Sequence, residues 1–262
     1  MFRWIILVLI CQLAPFFSAS AQQDSPLLPP DGTSRRLRLP ILMYHYISPI
    51  PPGADDFRRE LTVEPDIFAT HLRYLHEAGF ETVSLNDLYN ALNAGQSLPQ
   101  KPIILTFDDG HRDHYDHALP LLIEYGFQAT FFIITGLADE GNPAHLSWEQ
   151  ISAMDVAGME MESHSKHHHD LRNRSSDFLV YELLGSYQSL EAHLGEPPTS
   201  FSYPSGFYDA TAIEVVQSVP YSIAVTTEPG NRHTMDDILT LRRIRIYGNM
   251  PVENLAVALA SN

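Results

Sequence analysis

The chain has 262 residues, 44% of them hydrophobic and 18% charged, enough apolar material for a sizeable core and too much for a disordered protein. Lys and Arg number 16 against 32 Asp and Glu, a formal net charge of −16, so the surface as a whole is a poor partner for nucleic acid or anionic lipid. The single cysteine, Cys11, excludes an intrachain disulfide, and 13 histidines are many for a chain that is not a metal store.

Residues 1–21 predict a secretory signal. Arg3 gives one positive charge, Trp4 to Ile10 is an unbroken apolar run, and Ala19-Ser20-Ala21 is a small-x-small cleavage site before Gln22. The run is shorter than the ~20 apolar residues of a membrane span. On this reading Cys11 leaves with the signal, and the mature protein is secreted or periplasmic and spans no membrane. Residues 22–39 contain Pro, Ser and Arg without periodicity and read as a linker, and residues 40–262 read as one domain.

From there β-rich runs alternate with amphipathic stretches. Ile41 to Tyr44 predicts a buried strand, and Pro65 opens a helix with Phe68, Leu72 and Leu75 on one face. Glu81 to Val83 predicts a strand, and Ser84 with Asp87 a capping box for the next helix. Ile103 to Phe107 predicts another buried strand, followed by a helix reaching Tyr125, and Ala129 to Ile134 a further strand. Ser147 and Gln150 cap a helix, Met159 to Glu162 forms a strand, and Val180 to Leu194 lies in a longer helix. Phe201 to Tyr203, Ser222 to Val225 and Ile244 to Ile246 complete the strands. Repeated β-then-α units predict an α/β fold with a parallel sheet, and seven or eight of them a closed or nearly closed (β/α)7–8 barrel. His45, Asp108-Asp109, His164 and Pro204-Ser205 each follow a strand, which gathers them on one face of such a barrel.

Asp108 and Asp109 stand side by side before Gly110. Two adjacent carboxylates repel unless something positive compensates, and a divalent cation bound by one would leave the other as a base. His164 and His168 are four apart and can aim at one ion, while His167 and His169 alternate away toward solvent. With Asp109 they make a two-His, one-carboxylate set, which suits zinc hydrolases and also non-haem iron oxygenases.

Thr106 to Gly110, His164-Ser165-x-x-His168 and Phe201 to Gly206 stand in the order found in the polysaccharide deacetylases of carbohydrate esterase family 4, which this chain resembles over nearly its whole mature length. The resemblance extends to Pro40–His45, Leu146-Ser147-Trp148 and Leu241–Ile246. It implies a distorted, NodB-like barrel and one divalent metal ion, zinc foremost, held by Asp109, His164 and His168. It implies Asp108 as the base that takes the proton of the attacking water, and the Ser205 backbone N–H after Pro204 as an oxyanion donor. Three departures stand out. There is no C-terminal Leu-x-Leu-His segment, so His45 is the expected general acid, as in the poly-N-acetylglucosamine deacetylase branch. Ser202 stands where many relatives carry an arginine that orients the base, a role that falls to Arg243. Ser205 replaces a residue that is often aromatic.

Trp148 and Tyr203 are candidates for lining the sugar site beside Pro204, with core packing as the competing reading. His111, His114 and His117 read as exposed positions of a helix, His111 being near the site. The expectation is an exported, metal-dependent N-deacetylase of polysaccharide containing N-acetylglucosamine. The alternatives are an O-acetyl xylan-type esterase, a glycan-binding domain that keeps the fold, and an iron oxygenase.

Overall fold

The computed structural model describes residues 26–261, and the expected signal, 1–21, lies outside them. In chain order the strands are β1 (Arg36–Arg38), β2 (Ile41–Tyr44), β3 (Tyr46–Ile47), β4 (Thr62–Val63), β5 (Glu81–Thr82) and β6 (Pro102–Phe107). They continue with β7 (Thr130–Ile133), β8 (Glu160–Ser163), β9 (Ser200–Ser202), β10 (Ile223–Pro229), β11 (Arg232–Thr234) and β12 (Leu241–Arg245). The α-helices are α1 (Asp56–Leu61), α2 (Pro65–Glu77), α3 (Leu85–Ala94), α4 (Leu119–Tyr125) and α5 (Thr135–Asp139), then α6 (Trp148–Val156), α7 (Ser176–Leu194), α8 (Ala210–Ser218) and α9 (Val252–Ala260).

Seven parallel strands close a barrel in the order β2-β12-β10-β9-β8-β7-β6, with β6 pairing back onto β2. The first half of β6 also carries β5, through Glu81↔Pro102 and Thr82↔Ile103, and its last residues pair with β7. The barrel is distorted at two seams. β8 and β9 share only the pair Ser163↔Phe201, and the register of β10 on β12 shifts between Val225 and Pro229.

Period-two alternation divides the strands between two layers. Leu42, Tyr44, Ile103, Leu105 and Phe107 pack with Phe68, Leu72 and Leu75 of α2 in the helix-facing layer. Ile41, Ile104, Phe132, Val225 and Leu241 form a separate interior cluster with Leu85, Leu88 and Leu92 of α3. Each such fully buried Leu, Ile or Phe stabilises the fold by about 1.5–3 kcal/mol before entropy is counted. The two expected capping boxes form, Ser84 with Asp87 and Ser147 with Gln150, and Pro65 occupies the first turn of α2.

The stretch expected to be a linker is partly built into the fold. β1 pairs antiparallel with β11, from Arg36↔Thr234 to Arg38↔Arg232. Further upstream, the Asn90 side chain accepts from the Leu28 N–H and donates to the Pro26 carbonyl. Three alternating residues are too few to announce a strand, and its pairing partner lies nearly two hundred residues away. Among the described residues no helix is long and apolar enough to cross a membrane. Because the barrel strands are parallel, their carboxyl ends share one rim, and His45, Asp108 and His164 directly follow β2, β6 and β8 there.

Candidate metal centre and active site

Asp109, His164 and His168 each offer a donor atom, and these atoms lie within 4.8 Å of one another. His164 Nε2 is 3.3 Å and His168 Nε2 3.4 Å from Asp109 Oδ1. His164 Nδ1 donates to the Ser202 carbonyl at 2.7 Å, which fixes the ring and leaves Nε2 to face the cluster. The Ser165 hydroxyl accepts from the His168 N–H at 3.0 Å and shapes the loop that returns the second imidazole. His168 stays 32% exposed while His164 is buried, so the set has a wall on one side and an opening on the other. Two imidazoles and a carboxylate with an open side fit a divalent ion, zinc among them.

Backbone strain marks the same place. The non-glycine residues with positive φ are Asp109 (73°), Ser165 (62°), His168 (58°), Asn173 (57°) and Ser205 (55°). Two of these are members of the cluster, one shapes its loop and one is the expected oxyanion donor. Such conformations cost of order 1–3 kcal/mol each and persist where the surroundings enforce them, commonly at functional sites.

Beside the cluster, Asp108 is clamped by Arg243. Nη1 donates to Oδ1 at 2.7 Å and Nη2 to Oδ2 at 2.6 Å, a bidentate pair in which both residues are buried. The remaining guanidinium donors reach the Thr226 carbonyl, Thr106 Oγ1 and Ser202 Oγ at 2.9, 3.0 and 3.1 Å. All five N–H groups of Arg243 therefore have acceptors. The small Ser202 leaves room for this side chain, which arrives from β12 rather than from β9. Burial works against the charge on Asp108, but the guanidinium outweighs it and lowers its pKa to about 2. Burial also opposes the charge on Asp109, and there the contacts of His111 and His164 hold the carboxyl well below the ordinary range. The pKa of His164 is raised, since its contacts with Asp109 and Asp108 outweigh its burial.

His45 is buried, and its Nδ1 has no hydrogen-bond partner among the described residues. Burial lowers its pKa to about 4, with the charges of Asp109 and Asp108 pulling the other way. A buried ring nitrogen without a partner is costly, and a substrate group could supply one here.

The expectation that His111 and His114 are exposed is corrected. His111 is buried, stacks on Tyr46 with centroids 3.6 Å apart, and brings Nε2 to 3.2 Å from Asp109 Oδ2. His114 is fully buried against Phe107 and Phe131, and its Nε2 meets the His45 carbonyl. A single π-helical turn over His114–Ala118 breaks the regular 3.6-residue spacing on which the exposed reading rested. Tyr46 and Thr106 also belong to the site's surroundings and carry no sequence signal beyond their nearness to His45 and Asp108. Solvent facing holds for His169, whereas His167 is half-buried against Glu182.

The sugar-lining candidates separate. Tyr203 is fully buried and packs on Phe201 and Tyr208 in the cluster beneath α7 and α8, so it does not line a site. The reason is alternation: Ser202 points into the barrel toward Arg243, and its neighbour must point out. Trp148 stacks on His193 of α7 with centroids 3.7 Å apart and donates its N–H to Asp139, which makes it a helix-layer residue. Pro204 is buried and starts the short 3-10 turn Pro204–Gly206, on which Ser205 is exposed.

A family profile described as polysaccharide deacetylase matches residues 95–224. YxkH of Bacillus subtilis, named as a polysaccharide deacetylase, is 31% identical over 218 residues, 83% of this chain and 75% of that relative. The Streptococcus pyogenes deacetylase PplD, solved in complex with acetate, superposes with a TM-score of 0.80 at 33% identity, covering 86% of this chain and 99% of that one. The poly-beta-1,6-N-acetyl-D-glucosamine N-deacetylase of Escherichia coli is 22% identical over 76% of this chain, which spans about a third (36%) of that protein's length.

Proposed function

Because this chain belongs to the polysaccharide deacetylase family, we propose that it is an exported, metal-dependent N-deacetylase of polysaccharide containing N-acetylglucosamine, releasing acetate and leaving free amines. The observation that carries the reading is the contrast between the two adjacent carboxylates. Asp109 faces two imidazoles at 3.3 and 3.4 Å, while Asp108 is kept out of that set and ionised by Arg243. One acid can hold an ion and its neighbour can take a proton.

Asp109, His164 and His168 would hold the ion, which when bound polarises the acetamide carbonyl and acidifies water. Asp108 accepts the proton of the attacking water, and Arg243 fixes the carboxylate so that its position does not depend on substrate. The Ser205 backbone N–H, raised on its left-handed turn, donates to the developing oxyanion. His45 would relay to the departing amine the proton that Asp108 takes from the water, because with a pKa of about 4 the resting ring is neutral. Its position directly after β2, on the rim that carries Asp108, and the unpartnered Nδ1 support that role.

The amide rather than ester reading follows the N-deacetylase relatives, and export follows the expected signal at 1–21. The test is acetate release from N-acetylglucosamine oligomers and from acetylated xylan by zinc-loaded protein. The N-deacetylase reading expects acetate from the former, lost in Asp108→Asn. Release from xylan alone would make it an O-esterase, and glycan binding without acetate a binding domain. N-terminal sequencing of the exported protein should begin at Gln22.

A further inference from the structure

The loop after β8 carries histidines on both sides of His168, and they meet a different partner. His167 Nδ1 lies 2.9 Å from Glu182 Oε1 on α7, and the His167 N–H donates to Glu182 Oε2 at 2.8 Å. The Glu182 side chain is 1% exposed. The His169 ring is exposed, with its centroid 5.9 Å from that of His167. One donor atom from each of His167, His169 and Glu182 lies within 4.8 Å of the others. Among the described residues this is the one such group besides Asp109, His164 and His168.

The loop backbone is set in place independently of any ion. The Gly136 N–H donates to the Lys166 carbonyl at 2.8 Å. A Cβ at Gly136 would stand 2.4 Å from that oxygen and 2.9 Å from His167 Cδ2, so only glycine allows this approach. Lys166 Nζ is paired with Asp139 at 2.8 Å. The loop backbone at His167 is thus fixed, and His169 makes the larger movement.

We propose that His167, His169 and Glu182 form a second divalent-metal site, suited to zinc or a similar imidazole-binding ion, that staples the loop bearing His164 and His168 to α7. The ion takes the place of the hydrogen between His167 Nδ1 and Glu182 Oε1; in the neutral ring that hydrogen passes through solvent to Nε2, so the imidazole binds uncharged and no net proton is released. Bonds of about 2.0–2.2 Å to a tetrahedral ion set its donors roughly 3.4 Å apart, so the 2.9 Å pair of His167 and Glu182 opens slightly while His169 swings in. The exposed His169 ring, with no hydrogen bond among the described residues, can make that movement. Glu182 Oε2 keeps its backbone donor, which orients the carboxylate, and water completes the coordination.

The site stands on residues outside the proposed catalytic set, so its fate and that of the deacetylase reading are separable. The test uses the untagged mature chain, dialysed against buffered zinc and analysed for metal per chain, with cobalt spectra as a check on coordination. Wild type should take two ions, Asp109→Ala one, His169→Ala one, and the double variant none. His169 is exposed, so its loss leaves folding intact, as circular dichroism will verify. Saturation of wild type at one ion, or a second ion that survives His169→Ala with less than a tenfold loss of affinity, overturns the proposal. Absence of acetate release by protein carrying both ions would strike the functional reading and leave this count untouched.

Discussion

Replacing Arg243 by methionine keeps the apolar stem of the side chain and strips Asp108 of its buried counter-ion. The guanidinium makes two hydrogen bonds to Asp108, at 2.7 and 2.6 Å, and is itself fully buried. Removing one member of such a pair leaves an uncompensated charge in the interior and costs about 3–5 kcal/mol. At roughly 2–4 °C per kcal/mol for a domain of this size, the melting temperature should fall by roughly 6–20 °C. Urea denaturation at neutral pH, run as a cycle with Asp108→Asn, measures the effect. The double variant should be less destabilised than Arg243→Met alone, because neither charge is then stranded. A loss below about 1 kcal/mol, or additive single effects, refutes the claim that the arginine holds a charged Asp108.

The same pair sets an acid limit. The folded pKa of Asp108 is about 2 against an ordinary 3.8, so its stabilisation is complete above the ordinary value and is lost as pH falls through the folded one. Urea midpoints taken between pH 5 and pH 2 should therefore fall more steeply for wild type than for Asp108→Asn; equal slopes would contradict this. His45→Ala should lower kcat for acetate release by about 10²–10⁴-fold with bound metal unchanged; loss of the metal would assign His45 to ion binding instead. Gly206→Ala should both destabilise the protein and slow turnover, because Gly206 has φ +73° and a Cβ there would sit 2.0 Å from Thr227 Oγ1. Normal kcat in that variant would show that the Pro204–Gly206 turn does not present the oxyanion donor.

What the sequence disclosed was local. Ser84 with Asp87 and Ser147 with Gln150 are capping signals complete within four residues, and both form. Apolar runs such as Ile41–Tyr44 and Ile103–Phe107 announce buried strands at any position in the fold. The Asp109, His164 and His168 set was legible because Asp109 and His164 come just after parallel strands that share a rim and His168 stands four residues beyond His164. Its motif spacing then agreed with a known family. The rest depends on contacts between distant segments. No periodicity links Arg243 to Asp108, 135 positions away, and only the barrel's closure through β2 brings β12 within one strand of β6. His114 looked exposed because regular helical spacing was assumed across a π-helical turn. Tyr203 is the instructive error. Ser202 reaches Arg243 inside the barrel, so alternation turns its neighbour toward the helices.

Where the catalytic ion binds decides the proposed mechanism. Anomalous diffraction from cobalt-loaded crystals, collected at the metal edge, tests that directly. The account expects a strong peak bounded by Asp109 Oδ1, His164 Nε2 and His168 Nε2, with Asp108 still clamped by Arg243. A peak only elsewhere, or one that draws Asp108 off the arginine and into the coordination sphere, would contradict it.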